Sequence, residues 1–214
     1  MAGTITALKA QQKARERVTV YLDGEYAFDL AVIHALWLRV GQHLSEQEIE
    51  TLRAADTLEK AKQRAVDYIA YRPRSVQEVR RRLRKAGASD EVIDQVIISL
   101  RAAELLDDES FSRSWVESRL RNKPRSRRLI AHELRQKGVA QSAIEAALER
   151  VDDAESAYQA ALKRWPKVEA IQPAWQRRRK LSQYLARSGF DYDIIEEAVA
   201  RVERERMAGR LETE

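Results

Sequence analysis

The chain has 214 residues, enough for one or two domains or for a small repeat array, and its high charged content with few glycines and prolines favours helices. It contains no cysteine, which excludes disulfides, thiol nucleophiles and zinc–thiolate sites. No apolar run is long enough to span a membrane or to act as a signal segment, so we expect a cytoplasmic protein that does not enter the membrane.

The net charge of +5 conceals an uneven distribution of charged residues. Three short segments together hold 20 of the 39 Lys/Arg residues but only 2 of the 34 Asp/Glu residues; they are 72–85, 119–137 and 174–187. The rest of the chain is acidic. Basic residues concentrated in this way indicate a polyanionic partner, or a partner with an acidic face.

The N-terminal stretch alternates apolar and polar residues, which is typical of β-strands. Val18–Leu22 and Tyr26–Leu30 flank Asp23-Gly24, the dipeptide that favours a tight type I′ hairpin turn. Thr4–Leu8 can add a strand, with Ala10–Arg17 as a turn or an exposed edge.

Two short helices are predicted next. The first covers Ala31–Arg39, ends at Gly41 and has an apolar face formed by Ile33, Leu36, Trp37 and Val40. The second begins at the capping box Ser45–Glu48 and ends near Ala55. Residues 1–55 are therefore predicted to be a small α+β extension with a β-hairpin.

The remaining sequence repeats with a period of about 51 residues. Two sets of equivalent positions show the period: Leu83, Leu134 and Leu185, and Gly87, Gly138 and Gly189. The predicted fold class is mainly α: a tandem array of three three-helix repeats, elongated and curved, preceded by the extension. The predicted boundaries are 56–106, 107–151 and 152–204, with a polar tail at 205–214.

Capping residues place the helices within each repeat. Asp56 or Thr57 is predicted to begin the first helix of repeat 1, and Pro73 to separate it from the second. Ser75 and Ser126 are predicted to cap the second helices of repeats 1 and 2. Repeat 3 lacks this Pro-Arg-Ser junction and has Gln172–Trp175 instead.

Several residues that could support catalysis have simpler structural interpretations. Asp107-Asp108 and Asp152-Asp153 stand at predicted helix starts, where carboxylates cap free N–H groups. His34, His43 and His132 are scattered and have no nucleophile or carboxylate at a recognisable spacing. We therefore expect no catalytic residue, no metal and no cofactor. Trp115 is assigned to the core, whereas Trp175 fits the core and an exposed contact equally well.

The basic helix faces are the remaining functional candidates. A face that serves only solubility would mix both signs of charge, whereas these three share one sign. The predicted partner- or DNA-binding residues are Arg72, Arg74, Arg81, Arg84, Lys85, Lys123, Arg125, Arg128, Arg135, Arg177, Arg179, Lys180 and Arg187.

The sequence also resembles a known family, the RecX regulatory proteins. The resemblance is carried by Tyr71–Ser75, Ala102–Arg119, Ile130–Leu134 with Lys137–Val139, and Leu185–Tyr192. Tyr21–Phe28 looks like the extension found in longer members. The third repeat departs from the family's Pro-Arg-Ser pattern.

The resemblance implies a non-enzymatic modulator, usually an inhibitor, of the RecA recombinase, and we expect the chain to act as a monomer. Such a protein would lie in the groove of the RecA–DNA filament and reduce ATP hydrolysis, filament extension, strand exchange and coprotease activity in the SOS response. Two other functions stay open at this point: an autonomous DNA-binding protein that uses the basic faces, and a hydrolase or transferase without a recognisable motif. The direction of the regulation, the curvature of the array and the role of the hairpin are left open.

Overall fold

A computed structural model describes residues 2–11 and 16–211, with side chains described as far as 206. The chain divides into two compact units. Unit 1 comprises Met1–Arg74 and Val79–Leu106, and unit 2 comprises Ser75–Glu78 and Asp107–Glu214. The three-helix repeats in tandem and the small antiparallel sheet confirm that the chain is mainly α, with three three-helix repeats preceded by a β-containing extension.

Unit 1 begins with an antiparallel sheet whose strand order is β3-β2-β1-β4. Its strands are β1 Gly3–Ala10, β2 Arg17–Leu22, β3 Glu25–Ala31 and β4 His43–Leu44. Asp23 and Gly24 have φ values of 49° and 92°, so the hairpin predicted from this dipeptide is confirmed. The two-residue β4 was not predicted. The turn expected at Ala10–Arg17 falls partly on residues 12–15, outside the described residues.

The segment after β3 differs from its prediction. The helix α1 covers only Val32–Ala35, a single turn. The predicted apolar face is exposed, with relative exposures of 59% to 84%, at Ile33, Leu36, Trp37 and Val40. The helical spacing was present, but the sheet buries its own apolar side chains against Leu44 and Ile49 instead.

The predicted helix boundary near residue 55 is wrong. A single helix, α2, covers Glu46–Tyr71, and the Ser45–Glu48 capping box begins it as predicted. Asp56 is not a capping residue; it is buried and accepts hydrogen bonds from Arg17 and the Ala31 N–H group. The polar pair Asp56-Thr57 is therefore accommodated inside the helix by tertiary contacts.

Helices α3 Val76–Lys85 and α4 Asp90–Ala102 follow α2. Ser75 and Glu78 form the predicted capping box, and Ser89 caps α4. Gly87 has a φ of +84°, which lets the chain reverse between the two helices. The predicted inward residues of α4 are buried: Ile93, Val96, Ile97 and Leu100.

Unit 2 contains two further three-helix sets, each with its own core cluster. Repeat 2 consists of α5 Asp108–Asn122, α6 Arg127–Gln136 and α7 Gln141–Leu148. Repeat 3 consists of α8 Asp153–Arg164, a 3-10 turn Trp165–Lys167, α9 Ala174–Arg187 and α10 Tyr192–Leu211. The last helix runs beyond residue 204, where the polar tail was expected to begin.

Within unit 2, which includes the segment Ser75–Glu78 at the start of α3, two contacts recur at the N-termini of the second helices. In the first contact, the serine that caps the second helix of a repeat donates a hydrogen bond to the C-terminal end of the second helix in the following repeat. The Ser75 hydroxyl donates to the Lys137 carbonyl, and the Ser126 N–H group donates to the Ser188 carbonyl. The first N–H group of the second helix also donates to an aspartate of the following repeat. These bonds are Val76 to Asp108 at 2.9 Å and Arg127 to Asp153 at 2.7 Å.

The acidic pairs therefore divide their roles. Asp107 and Asp152 cap their own helices, as predicted. Asp108 and Asp153 instead accept from the N-terminus of the preceding repeat's second helix. Burial raises the pKa of the Asp153 carboxyl, against the opposing effect of the Arg127 N–H bond.

Candidate nucleic-acid interface

The basic residues of α3 divide into exposed and paired side chains. Arg81 and Lys85 are exposed and have no ion pair with any described residue. Arg84 is exposed but lies 2.6 Å from the Asp90 carboxylate. Arg81 and Lys85, together with the exposed Arg82 beside the Tyr68 ring, therefore hold the charge on this helix that is available to a partner.

The two arginines at the Pro73 junction pack against the protein. Arg74 lies over the Tyr68 ring, 3.8 Å from its centroid, and donates to the Tyr68 carbonyl. Arg72 donates to the Pro73 carbonyl. Both side chains are half-buried, so their cationic groups serve the junction as well as the surface.

The four candidates in repeat 2 differ in what they contact. Lys123 is exposed, whereas Arg125 is half-buried and paired with Glu133. Arg128 is exposed beside the Gly189 carbonyl and Asp191, and Arg135 donates to Gln141. The Glu133 carboxylate also accepts hydrogen bonds from Trp115 Nε1 and Arg119 Nε. Burial alone would raise the pKa of Glu133, but the bonds from Arg119 and Trp115 hold it below its usual range.

The position of the Arg177 side chain differs from its prediction. Its side chain was predicted to lie on an exposed basic face, but the residue is only 5% exposed. It packs 5.4 Å from the Trp165 centroid and is paired with Glu203. It lies four residues before Leu181, on the buried face of α9, whereas Arg179, Lys180 and Arg187 are exposed. Trp175 is 59% exposed, which decides the question that the sequence left open.

Unit 2 also contains a cleft that brings together cations distant in sequence. We call this the basic cleft; its volume is about 470 Å³. Its lining contains six cationic side chains and, among the described residues, no carboxylate. The cationic residues are Lys123, Arg125, Lys163, Arg164, Lys167 and Arg187, and Tyr184 is the aromatic residue of the lining.

Three helix ends build the basic cleft. Helix α5 ends just before Lys123, α8 ends at Arg164, and α9 ends at Arg187. Carbonyl groups at helix C-termini attract cations, which partly explains the concentration of Lys and Arg here. Lys163, for example, donates to the Arg121 carbonyl. The other exposed cations, Lys123, Lys167 and Arg187, have no such bond to a described residue.

Lys163, Arg164 and Lys167 were missed by the sequence analysis. These residues lie just before the third basic segment, 174–187, and outside the three segments with the strongest charge excess. The signal was present, because Lys163 and Lys167 are four residues apart near a helix end. Only the convergence of the ends of α5, α8 and α9 brings them to Lys123 and Arg187.

The described residues hold no other constellation with evident chemistry. No group of three or more His, Asp or Glu side chains among them is arranged to hold a metal ion. His132 bonds Gln136, a neighbour on its own helix. Among the described residues, every helix is too short or too polar to cross a membrane.

The tandem three-helix repeats and the basic cleft define a helical-repeat protein with a cationic cleft on its surface. Four family models match the chain in order: the RecX regulatory protein N-terminal domain at 3–45, and the first, second and third RecX three-helix domains at 61–100, 107–148 and 152–199. The chain belongs to the RecX family.

Curated relatives of the chain belong to the same family. Regulatory protein RecX of Bacillus licheniformis is 37% identical over 116 residues, which cover 53% of this chain and 44% of the relative. The Limosilactobacillus reuteri protein is 32% identical over 109 residues, covering 50% and 41%. The matched region thus spans less than half of these curated relatives.

Two crystal structures extend the likeness. The first is the crystal structure of a regulatory protein RecX, whose sequence is 30% identical to this chain. Its TM-score is 0.70, and the match covers 92% of this chain and 98% of that one. RecX from Lactobacillus salivarius is 25% identical, with a TM-score of 0.58, and the match covers 70% and 98%.

Proposed function

We propose that this chain regulates the RecA recombinase by binding the RecA–DNA filament in its groove, and that the regulation is inhibitory. In this proposal the bound chain lowers ATP hydrolysis, filament extension, strand exchange and coprotease activity. Membership of the RecX family supports the class of function, and the basic cleft is the single observation that supports the mode of binding.

The charge of the cleft argues for a polyanion inside the filament. Five of its six cations have no carboxylate partner among the described residues, since only Arg125 is paired. Like charges gathered at one place repel one another, and a phosphate-bearing partner would relieve that repulsion. The proposed contacts combine this cleft with exposed residues predicted from the sequence, such as Arg81, Lys85, Arg179 and Lys180.

The proposed role is a binding function without catalysis. It uses the cytoplasmic RecA filament as its partner, DNA as a second contact within the groove, and a monomeric chain without a cofactor. The division of residues 1–204 into an extension and three repeats, followed by the polar tail, remains part of this proposal. The tandem repeats offer an extended series of contact points of this kind.

A triple variant of the cleft tests the proposal. Lys123→Glu, Lys167→Glu and Arg187→Glu reverse three exposed cations that have no described partner. RecA ATPase activity on single-stranded DNA is titrated with the wild-type chain and with the variant. We expect wild-type inhibition near stoichiometric amounts, and a rise of roughly tenfold or more in the concentration of variant needed.

The matched control reverses three exposed cations that do not line the cleft: Arg101→Glu, Arg150→Glu and Arg204→Glu. It makes the same change in net charge and should inhibit like the wild type. Unchanged ATPase activity and filament length with equimolar wild-type chain would contradict the function itself. If the chain instead binds bare DNA with no effect on RecA, the autonomous DNA-binding function is correct.

A further inference from the structure

The basic cleft contains an aromatic side chain next to its cations. Tyr184 is half-buried and packs against the core cluster of repeat 3, which holds its ring in place. The Arg164 guanidinium carbon lies 5.2 Å from the centroid of that ring. The cleft therefore offers a fixed planar group together with positive charge.

The cations around this pair have unused hydrogen-bonding capacity. The Arg164 guanidinium donates no hydrogen bond to a described residue, and its Nε atom is buried without a partner. Lys167 and Arg187 are exposed and carry no described ion pair. These side chains can donate to phosphate oxygens without breaking a bond that the fold uses.

The form of the cleft distinguishes among polyanions. A volume of about 470 Å³ falls within the range of small-molecule sites, so it can admit one or two nucleotides of a flexible strand. A rigid duplex keeps its bases stacked inside and can place only its backbone on the rim. An acidic peptide supplies carboxylates but no planar group for the tyrosine.

We infer that the basic cleft is a single-strand nucleic-acid subsite, in which Lys123, Lys167 and Arg187 bind phosphates and Tyr184 stacks with a base. Positive grooves combined with aromatic platforms are the common means by which proteins hold single strands. This inference names the partner of the cleft used in the proposed function, but it concerns DNA binding without RecA.

Fluorescence anisotropy with a labelled 20-nucleotide oligo-dT tests it, using the full chain alone. We expect the single strand to bind more tightly than a 20-base-pair duplex. The triple variant Lys123→Glu, Lys167→Glu, Arg187→Glu should reduce the slope of log affinity against log salt by about 2, since each phosphate contact on a single strand contributes about 0.7. The triple control at Arg101, Arg150 and Arg204 should keep the wild-type slope.

The tyrosine is tested separately from the charges. Tyr184→Leu should weaken oligo-dT binding by roughly five- to tenfold with an unchanged salt slope, whereas Tyr184→Phe should bind like the wild type. The urea midpoint of each variant is measured, because Tyr184 packs against a core. If Tyr184→Leu is unfolded, the surface variant Lys167→Glu alone must still lower the affinity for oligo-dT.

Three outcomes would overturn the inference. They are equal affinity for the duplex, equal displacement by polyglutamate, and full oligo-dT binding by the triple cleft variant. Polyglutamate displacement would assign the cleft to an acidic protein segment. RecA inhibition is measured on the same samples. A cleft variant that loses oligo-dT binding but still inhibits RecA would contradict the role of the cleft in the proposed function. A cleft variant that loses inhibition but still binds oligo-dT would contradict the single-strand subsite.

Discussion

At the residue scale, Asp56 shows how one carboxylate connects three parts of unit 1. It is 4% exposed, and its oxygens accept from both terminal nitrogens of Arg17 at 3.1 Å and from the Ala31 N–H group at 2.8 Å. Lys60 lies 2.8 Å away on the same helix. Burial alone would raise the pKa of Asp56, but the bonds from Arg17 and Lys60 hold it below its ordinary value.

Replacing Asp56 with asparagine should destabilise the protein by about 2–3 kcal/mol at neutral pH, because Arg17 then loses its buried partner. A depressed folded-state pKa contributes stability that is present above the unfolded value, near 3.8, and is lost as the pH falls through the folded-state value. Asp56→Asn should therefore flatten the acid part of the stability curve, as measured by urea unfolding at a series of pH values. Glu50→Gln, at an exposed carboxylate of the same helix, is the control, and equal stability curves for the two variants would contradict the assignment.

At the scale of elements, the glycines after the second helices differ in what surrounds them. Gly87, Gly138 and Gly189 all have positive φ, so any side chain there is strained. A Cβ atom at Gly87 would meet nothing within 4 Å, but one at Gly138 would lie 2.5 Å from Gln77 Cβ. At Gly189 it would lie 2.5 Å from Ser126 Oγ. Two of the three glycines thus permit close contacts within unit 2: Gly138 with the segment Ser75–Glu78, and Gly189 with the N-terminus of α6.

Alanine substitutions should separate backbone strain from contact. Gly87→Ala should cost about 1 kcal/mol from backbone strain alone. Gly138→Ala and Gly189→Ala should cost about 2–4 kcal/mol, because the neighbouring repeat must also move. Urea unfolding of the three variants measures the difference. Equal losses at all three positions would mean that the repeat contacts tolerate a methyl group.

At the scale of the whole molecule, charge is segregated along the chain. The three basic segments contain two acidic residues between them, although the chain has 34. Those two residues, Glu78 and Glu133, are part-buried and bonded to basic side chains: Glu78 to Lys137, and Glu133 to Arg119 and Arg125. Long-range attraction of a polyanion should therefore dominate association.

Binding to preformed filaments should accordingly depend strongly on salt. If three to five phosphates are contacted, affinity should fall roughly 20- to 100-fold between about 50 and 200 mM monovalent salt. Labelled chain is titrated onto filaments assembled with a non-hydrolysable ATP analogue, and filament integrity is checked at each salt concentration. An affinity independent of salt would indicate a contact dominated by apolar groups.

Much of the fold could be predicted because its signals are local. Capping boxes, the Asp-Gly turn and the reversing glycines act through neighbouring backbone groups, so Ser45, Ser75 and Ser126 were placed correctly. The break near Asp56 and the extent of the helix predicted over Ala31–Arg39 were wrong, since both depend on what the rest of unit 1 packs against those residues.

The candidate site depended more on tertiary structure. The repeat period, the helix ends and the concentration of Lys and Arg follow from the sequence alone, because they express hydrophobic spacing and local hydrogen bonding. Only the packed structure removes Arg177 from the surface, exposes Trp175 and gathers Lys163 and Lys167 with Lys123 and Arg187 around Tyr184. Helix periodicity specifies which side of each helix is apolar, whereas the convergence of three helix ends depends on how the helices pack against one another.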